Sequence, residues 1–466
     1  MKKTIIFLIT SFFLLNHAQS QEKQPADLLI FGGTVVTMNQ NREIIEDGAI
    51  AIKNGNIVSV GKSSKLRSLY KAKLTINASG RVVIPGLINT HTHIPMVLFR
   101  GIADDMDLQD WLTNYIFPAE AKNVNEDFVR AGTRLGLAEL IKGGTTTYCD
   151  MYYFEDAIAE ETAKAGVRAI LGETLIDFPA PDNKTFEDAL KYTENFIKKW
   201  KGHRLITPAI APHAPYTVSK EHLLLARQLS DKFDVPLIIH LAEAETETEF
   251  TLKNFGLRPI EYLEKIGFFN KKTILAHVIQ ATAEEISLLK KYDVGIAHNP
   301  QSNMKLAAGI APIPLMLKEN LRVGLGTDGA ASNNDLNLWE EMDTAAKIHK
   351  VFNKDPKAAS AVQIFEMATI GGARALHLEK FIGSIEEGKR ADIVLVNFNS
   401  LHQTPMYNLY SHLVYATKAS DVDTVIIDGK IIMKNGRLLT LNENAIKREA
   451  NFYKQKIVKS LRSNSN

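Results

Sequence analysis

Several histidines and acids in this sequence recur at the ends of short apolar runs, a pattern that suits metal-assisted hydrolysis. Asn89-Thr-His-Thr-His93 closes one run and sets His91 and His93 two residues apart. Side chains two apart on a strand point the same way, so both imidazoles can face one ion. Pro236-Leu-Ile-Ile-His240 ends in a third histidine, with Glu243 three residues on. Strand alternation would put His240 and Glu243 on opposite faces, so Glu243 must lie where the strand has bent into its loop. The acids that follow, Glu245, Glu247 and Glu249, read as a solvated helix start. Thr273-Ile-Leu-Ala-His277 repeats the pattern, and Arg322-Val-Gly-Leu-Gly-Thr-Asp328 ends in an acid. Pro212-His213 and Ala297-His298 close two more runs. Taken singly, each residue has a plain structural explanation as a satisfied histidine or a turn acid. Taken together they do not, because His17, His203, His222, His349, His377 and His412 fall instead in the N-terminal leader, in helices or in turns. Three neutral imidazoles and a carboxylate from this set would hold Zn²⁺ or Fe²⁺ and leave a position for water. Such an ion lowers the pKa of water to about 7. The single cysteine, Cys149, excludes a thiolate cluster and an internal disulfide framework.

The elements that must position these groups are legible in outline. Candidate strands cover 82–89, 145–150, 168–176, 205–211, 236–240, 273–276, 295–297 and 323–326. Amphipathic segments lie between most of them, including 126–141, 155–165, 220–233, 283–291 and 337–349. Eight strands alternating with helices predict an α/β fold, a (β/α)₈ barrel over 82–384, whose chemistry sits at the C-terminal strand ends. A doubly wound sheet is the rival architecture. No Gly-x-Gly-x-x-Gly opens a helix after the first strand, which removes its dinucleotide-binding form. The flanks are strand-rich. Residues 28–38 read as strand, Gly-Gly turn, strand; 48–61 and 422–433 read as hairpins turning at Asn54-Gly55 and Asp428-Gly429. Residues 26–81 and 385–440 are therefore expected to build one composite β-sandwich, with a charged helix and tail at 441–466.

The 466 residues carry 55 Lys+Arg and 53 Asp+Glu, with 45% hydrophobic and 23% charged residues. These are globular proportions, and the near balance of charge argues against a nucleic-acid partner. Residues 1–20 read as a signal peptide: Lys2 and Lys3, an apolar run over 5–15, then Ala18-Gln-Ser20. The run is well short of the ~20 residues of a spanning helix, so no stable membrane anchor is expected. Cleavage before Gln21 leaves basic and acidic residues equal in number. The expected product is an exported protein, periplasmic in a Gram-negative source.

Longer motifs then connect these pieces. Pro85-Gly-Leu-Ile-Asn-Thr-His-Thr-His93, Leu98-Phe-Arg-Gly-Ile-Ala-Asp-Asp105 with Trp111, and Pro212-His-Ala-Pro-Tyr216 come first. His298-Asn-Pro-Gln-Ser-Asn-Met-Lys-Leu306, Gly326-Thr-Asp-Gly-Ala-Ala-Ser-Asn-Asn334 and Gly383-Ser-Ile-Glu-Glu-Gly-Lys-Arg-Ala-Asp392 follow. Through them nearly all of the chain after residue 20 resembles the amidohydrolase superfamily, and within it the adenine-type deaminases. The resemblance implies a metal-dependent aminohydrolase, with His91, His93, His240 and Asp328 holding one divalent ion, zinc first and iron second. The fourth strand, 205–211, ends without the lysine that bridges two metals in some relatives. The resemblance also implies that Asp328 takes a proton from water, that Glu243 carries one to the ring nitrogen beside the attacked carbon, and that His277 orients the nucleophile. Trp111, Glu120 and His213 would contact a small-molecule nucleoside, with His298 and Ser332 as weaker candidates. 5′-Methylthioadenosine leads, ahead of S-adenosylhomocysteine and adenosine. Glu173 stands where some members have an arginine that would favour a carboxylate-bearing substrate. The alternatives are a hydrolase of another ring, such as guanine, pterin or a chloro-triazine, and an exported nucleoside-binding protein without catalysis. Many members of the family are homo-oligomers, and the resemblance extends that expectation to this chain.

Overall fold

A computed structural model describes residues 22–462. The leader at 1–20, with its expected signal, lies outside the described residues. Eight parallel strands form one sheet in unbroken sequence order: Leu87–Thr92, Thr145–Tyr152, Arg168–Leu175, Ile206–Pro212, Leu237–Leu241, Thr273–His277, Gly295–His298 and Arg322–Leu325. Nearly every residue of these strands is buried. That is why they read as continuous apolar runs rather than as alternating ones. The first and last strands come together at their C-terminal ends. Asn89 Nδ2 donates to Thr327 Oγ1 (2.8 Å), Thr327 N to Asn89 Oδ1 (3.1 Å) and Asp328 N to His91 O (3.0 Å). The result is the (β/α)₈ barrel, and its seam is sewn inside the chemical site.

The intervening helices fall close to the amphipathic segments. Glu126–Lys142 is capped by Asn125 and Lys220–Phe233 by Ser219, while Ala283–Tyr292 carries a capping box from Thr282 and Glu285. The C-terminal helix Glu443–Arg462 packs on the barrel, where Glu449 pairs with Arg134 at 2.6 Å.

Among the described residues, nine further strands come from both ends of the chain and share a second sheet. Gln24–Val36 pairs in parallel with Arg81–Pro85, which pairs antiparallel with Ile393–Asn397. Residues of both halves, among them Ile30, Ile52, Ile393 and Ile426, fill one apolar core. The tips of the two hairpins also meet, with Gly429 against Gly55. The sheet thus folds back on itself as the expected sandwich.

Two details differ from the sequence reading. The segment 28–38 does not turn at Gly32-Gly33; it is one strand, Gln24–Val36, with a register shift at those glycines. The run 82–89 is not one strand but two in different sheets. Arg81–Pro85 belongs to the sandwich, and the barrel begins at Leu87. The break falls at Gly86, whose N–H donates to Asp392 O at 2.9 Å. A Cβ there would collide with the Thr146 side chain, so only glycine lets the chain cross from one sheet to the other.

Candidate active site

The C-terminal rim of the barrel gathers the strand-end residues. His91 and His93 leave the first strand and its end, His240 the fifth, His277 the sixth, and Asp328 follows the eighth. Three of these ends turn through left-handed backbone at non-glycine residues: Ala242 (φ +52°), His277 (φ +73°) and Asp328 (φ +60°). Such residues cost about 1–3 kcal/mol each and persist where surrounding structure overrules the preference. Here the turns aim the side chains inward and let the chain bend after His240, which brings Glu243 round into the same cavity.

The ligand atoms of His91, His93 and His240 lie within 4.8 Å of one another, as do those of His91, His277 and Asp328. His93 Nδ1 is 2.6 Å from Met151 O and His240 Nδ1 is 2.9 Å from His213 O. A carbonyl can only accept, so both Nδ1 atoms carry protons, and the two Nε2 atoms face each other at 3.3 Å, each a free ligand atom when its ring is neutral. His91 Nε2 is buried with no hydrogen-bond partner among the described residues. Asp328 Oδ1 stands 3.2 Å from His93 Nε2 and 3.5 Å from His91 Nε2. Its Oδ2 accepts from Ser302 Oγ (2.7 Å) and Ser332 Oγ (2.9 Å). Lone pairs converging without donors are unfavourable unless a cation sits among them. This donor set, three imidazoles and a carboxylate, fits a divalent ion.

The electrostatics agree. Burial lowers His91 to about 4 and holds His240 well below its ordinary value, which keeps both rings neutral, as ligation requires. Burial also works against charge on His93. The adjacent Asp328 carboxylate overrides it and holds that ring up at about 9, so His93 carries a proton that a bound cation would displace. Asp328 is itself held well below the carboxylate range by His91 and His93, despite its burial.

Around this cluster lies an open cavity of about 600 Å³, counting the solvent at its mouth. It is lined on one side by His93, His240, Glu243, His277 and Asp328, and on the other by Trp111, Leu112, Ile116, Phe117 and Glu120. Glu243 Oε1 is 3.7 Å from His277 Nε2, and burial raises the Glu243 carboxyl above its ordinary value. Trp111 sits on a π-helical turn, Trp111–Ile116, and Glu120 on the helix that follows, Phe117–Asn123. Tyr152 OH donates to Glu120 Oε1 at 2.7 Å, and burial lifts that carboxyl to about 7. His213 lines the cavity with its ring, which burial lowers to about 3, while its carbonyl holds His240.

Other candidates are placed differently. His298 is buried away from the cavity, its Nε2 3.0 Å from His349 Nε2. Ser332 touches Asp328 rather than the cavity. Glu173 is fully buried with its carboxylate accepting from Glu155 N (3.0 Å); its neighbour Thr174 is the one that faces the cavity. Nor is Glu247 part of a solvated helix start. It is buried, accepts from Glu243 N at 2.9 Å, and is pushed up to about 8 by burial. Tyr152, Tyr153, Tyr216 and Thr174 also line the cavity and were not singled out from the sequence. Tyr152 and Thr174 stand at the ends of the second and third barrel strands, where a search of strand ends could have found them; Tyr153 and Tyr216 lie on loops that leave no periodic trace.

Comparison with known proteins supplies a context. The sequence profile of the amidohydrolase family matches residues 82–432. A 5-methylthioadenosine/S-adenosylhomocysteine deaminase of Syntrophobacter fumaroxidans is 47% identical over 421 residues, covering 90% of this chain and 96% of its own. An adenosine deaminase of Xanthomonas campestris, solved with bound zinc, superposes with a TM-score of 0.93 at 36% identity, over 94% of this chain and 100% of its own. An atrazine chlorohydrolase of Arthrobacter aurescens, also with zinc, reaches a TM-score of 0.85 at 25% identity, over 92% and 100%.

Proposed function

Because the chain belongs to the amidohydrolase family, we propose that it is a metal-dependent hydrolytic deaminase of adenine nucleosides, with 5′-methylthioadenosine as its foremost substrate. The observation that carries this reading is one cavity bordered by His93, His240 and Asp328 of the cation-binding cluster and by a buried carboxyl with a raised pKa, Glu243, facing His277. The names of the relatives from Syntrophobacter and Xanthomonas support the choice of ring. The zinc in two solved relatives supports Zn²⁺ as the metal, with Fe²⁺ as the alternative.

His91, His93, His240 and Asp328 would hold the ion, which when bound supplies hydroxide at neutral pH. Asp328 takes the proton that the attacking water gives up. Glu243 delivers a proton to the ring nitrogen next to the attacked carbon, which quenches the charge that builds on the ring. A carboxyl raised by burial is suited to that transfer because it holds its proton closer to neutrality. His277 Nε2 faces the nucleophile and then the developing charge. Asp328 hands the proton it took to the departing amine, which leaves as ammonia, while the hydroxyl proton on the attacked carbon passes to Glu243 and restores it. Trp111 packs on the substrate, Glu120 accepts hydrogen bonds from the ribose hydroxyls, and His213 closes the remaining side.

Ammonia release by the zinc-loaded protein tests the reading on 5′-methylthioadenosine, S-adenosylhomocysteine, adenosine, guanine and a chloro-triazine. The expected result is fastest release from 5′-methylthioadenosine. Silence on every adenine nucleoside, with metal content verified, overturns it. Nucleoside binding without any ammonia would make the chain a binding protein instead. We propose as well that the chain is exported, on the strength of residues 1–20. A reporter fused to them that stays in the cytoplasm would refute this.

A further inference from the structure

The short helix Pro300–Lys305 carries two buried polar residues in succession, and each reaches a different group of the site. Ser302 Oγ donates to Asp328 Oδ2 at 2.7 Å, and Asn303 Oδ1 lies 2.9 Å from His277 Nδ1. The helix is itself pinned from behind: Gln301 N donates to Glu341 Oε2 (3.2 Å), and Glu341 is fully buried.

We infer that Asn303 is a positioning residue that fixes the tautomer and the ring plane of His277. An amide oxygen has no proton to give, so a 2.9 Å contact requires the proton on His277 Nδ1. Asn299 Nδ2, a donor that would need a bare Nδ1, stands at 3.4 Å from the same nitrogen, and the shorter contact to Asn303 Oδ1 decides for the protonated one. With Nδ1 protonated, Nε2 is left bare on the cavity side, 3.7 Å from Glu243 Oε1. A bare Nε2 can accept a hydrogen bond from water and hold it against the substrate. The need for a lock is plain in the backbone. His277 is the last strand residue, at φ +73°, and among the described residues its ring has no closer hydrogen-bond partner than Asn303. Both residues are at most 2% exposed, so no solvent can replace the amide.

The inference rests on the deaminase reading for its kinetic test but not for its structural one. The structural readout is the ¹⁵N-histidine spectrum of the zinc-loaded protein, with His277 assigned by the signals lost in His277→Asn. Wild type should show a protonated Nδ1, and Asn303→Leu should lose that signature or exchange between tautomers. In turnover of 5′-methylthioadenosine, Asn303→Leu should lower kcat by about 10- to 100-fold and leave KM within about threefold, as loss of an outer partner does elsewhere. Asn303→Asp keeps the acceptor and should retain the Nδ1 proton and most of the kcat. An unchanged His277 signature in Asn303→Leu overturns the inference. So does an Asn303→Asp variant that loses the Nδ1 proton or more than about 10-fold in kcat, a result that can be read even where the leucine variant does not fold. Wild-type protein that turns over no adenine nucleoside would sink the deaminase reading alone, and the spectrum would still decide the role of Asn303.

Discussion

Asp328 has both carboxylate oxygens committed, one to imidazoles and Gly329 N–H, the other to the hydroxyls of Ser302 and Ser332. Asp328→Asn keeps the volume, and the two hydroxyls can rotate to suit the amide. Turnover should fall by about 10²–10⁴-fold or more, the range of a lost proton carrier, while the thermal melt and circular dichroism stay near wild type. Loss of the fold along with activity would make Asp328 a structural acid instead. Glu120 gives a pH test. Its carboxyl titrates near 7 in the folded chain against an ordinary 4.5. Between those values the native state holds a proton that the unfolded state has lost, so stability falls as pH rises through that window. Each pKa unit is worth about 1.4 kcal/mol, so Glu120→Gln, which keeps the acceptor for Tyr152, should be the more stable protein by up to about 3 kcal/mol above pH 7 and equal to wild type below pH 4.5. Melting curves of the two proteins across that range check the sign, and an unchanged difference would place Glu120 in water. At this scale the sequence disclosed what strand ends disclose. His91, His93, His240, His277 and Asp328 were legible because a parallel barrel delivers such residues to one rim. Asn303 and Glu247 were not, because an Asn or Glu in a polar stretch looks the same whether it faces solvent or a buried partner.

The strands were readable because burial on both faces removes polar residues, and the helices because one face remains wet. What escaped were the junctions. Within Val82–Asn89 the Pro85-Gly86 pair marks the place where the chain leaves one sheet and enters another, but the apolar residues on either side suit both sheets and make the run look continuous; the contact of Gly86 with Thr146 records the change. The π-helical turn Trp111–Ile116 was equally invisible, as it is set by how the loop over the cavity packs and not by local preference. A similar junction follows the eighth strand. A Cβ on Gly326 would stand 2.8 Å from His91 N and collide with Asn299 Oδ1. Gly326→Ala must therefore push apart the first and last strands at the height of the metal ligands. It should cost about 1–3 kcal/mol, as overpacking does, and lower the zinc retained after dialysis against a weak chelator. Normal zinc retention would mean that the seam yields elsewhere and that the ligands do not depend on its closure.

On the scale of the whole molecule, the barrel divides its labour between ends, with chemistry at the C-terminal rim and the sandwich joined near the opposite one. The joint has a specific tie. Arg168 opens the third barrel strand, and Asp392 precedes the sandwich strand Ile393–Asn397. They pair through two bonds, Nε to Oδ2 at 2.8 Å and Nη2 to Oδ1 at 3.2 Å, and both residues are buried. Asp392 Oδ1 also accepts from Asp428 N at 2.7 Å, so the acid ties the second hairpin as well. Removing one partner of such a pair strands the other without water, which costs about 3–5 kcal/mol. Arg168→Met should therefore lower the melting temperature markedly. Adding Asp392→Asn should restore most of the loss, because the amide can still accept from Asp428 N and no longer carries an unpaired charge. Neither change touches the rim, so zinc content and kcat on 5′-methylthioadenosine should stay at wild-type values wherever the variants remain folded. If Arg168→Met instead lowers kcat in a fully folded, zinc-replete sample, then the two ends of the barrel are coupled, and the sandwich takes part in holding the site rather than only in holding the chain.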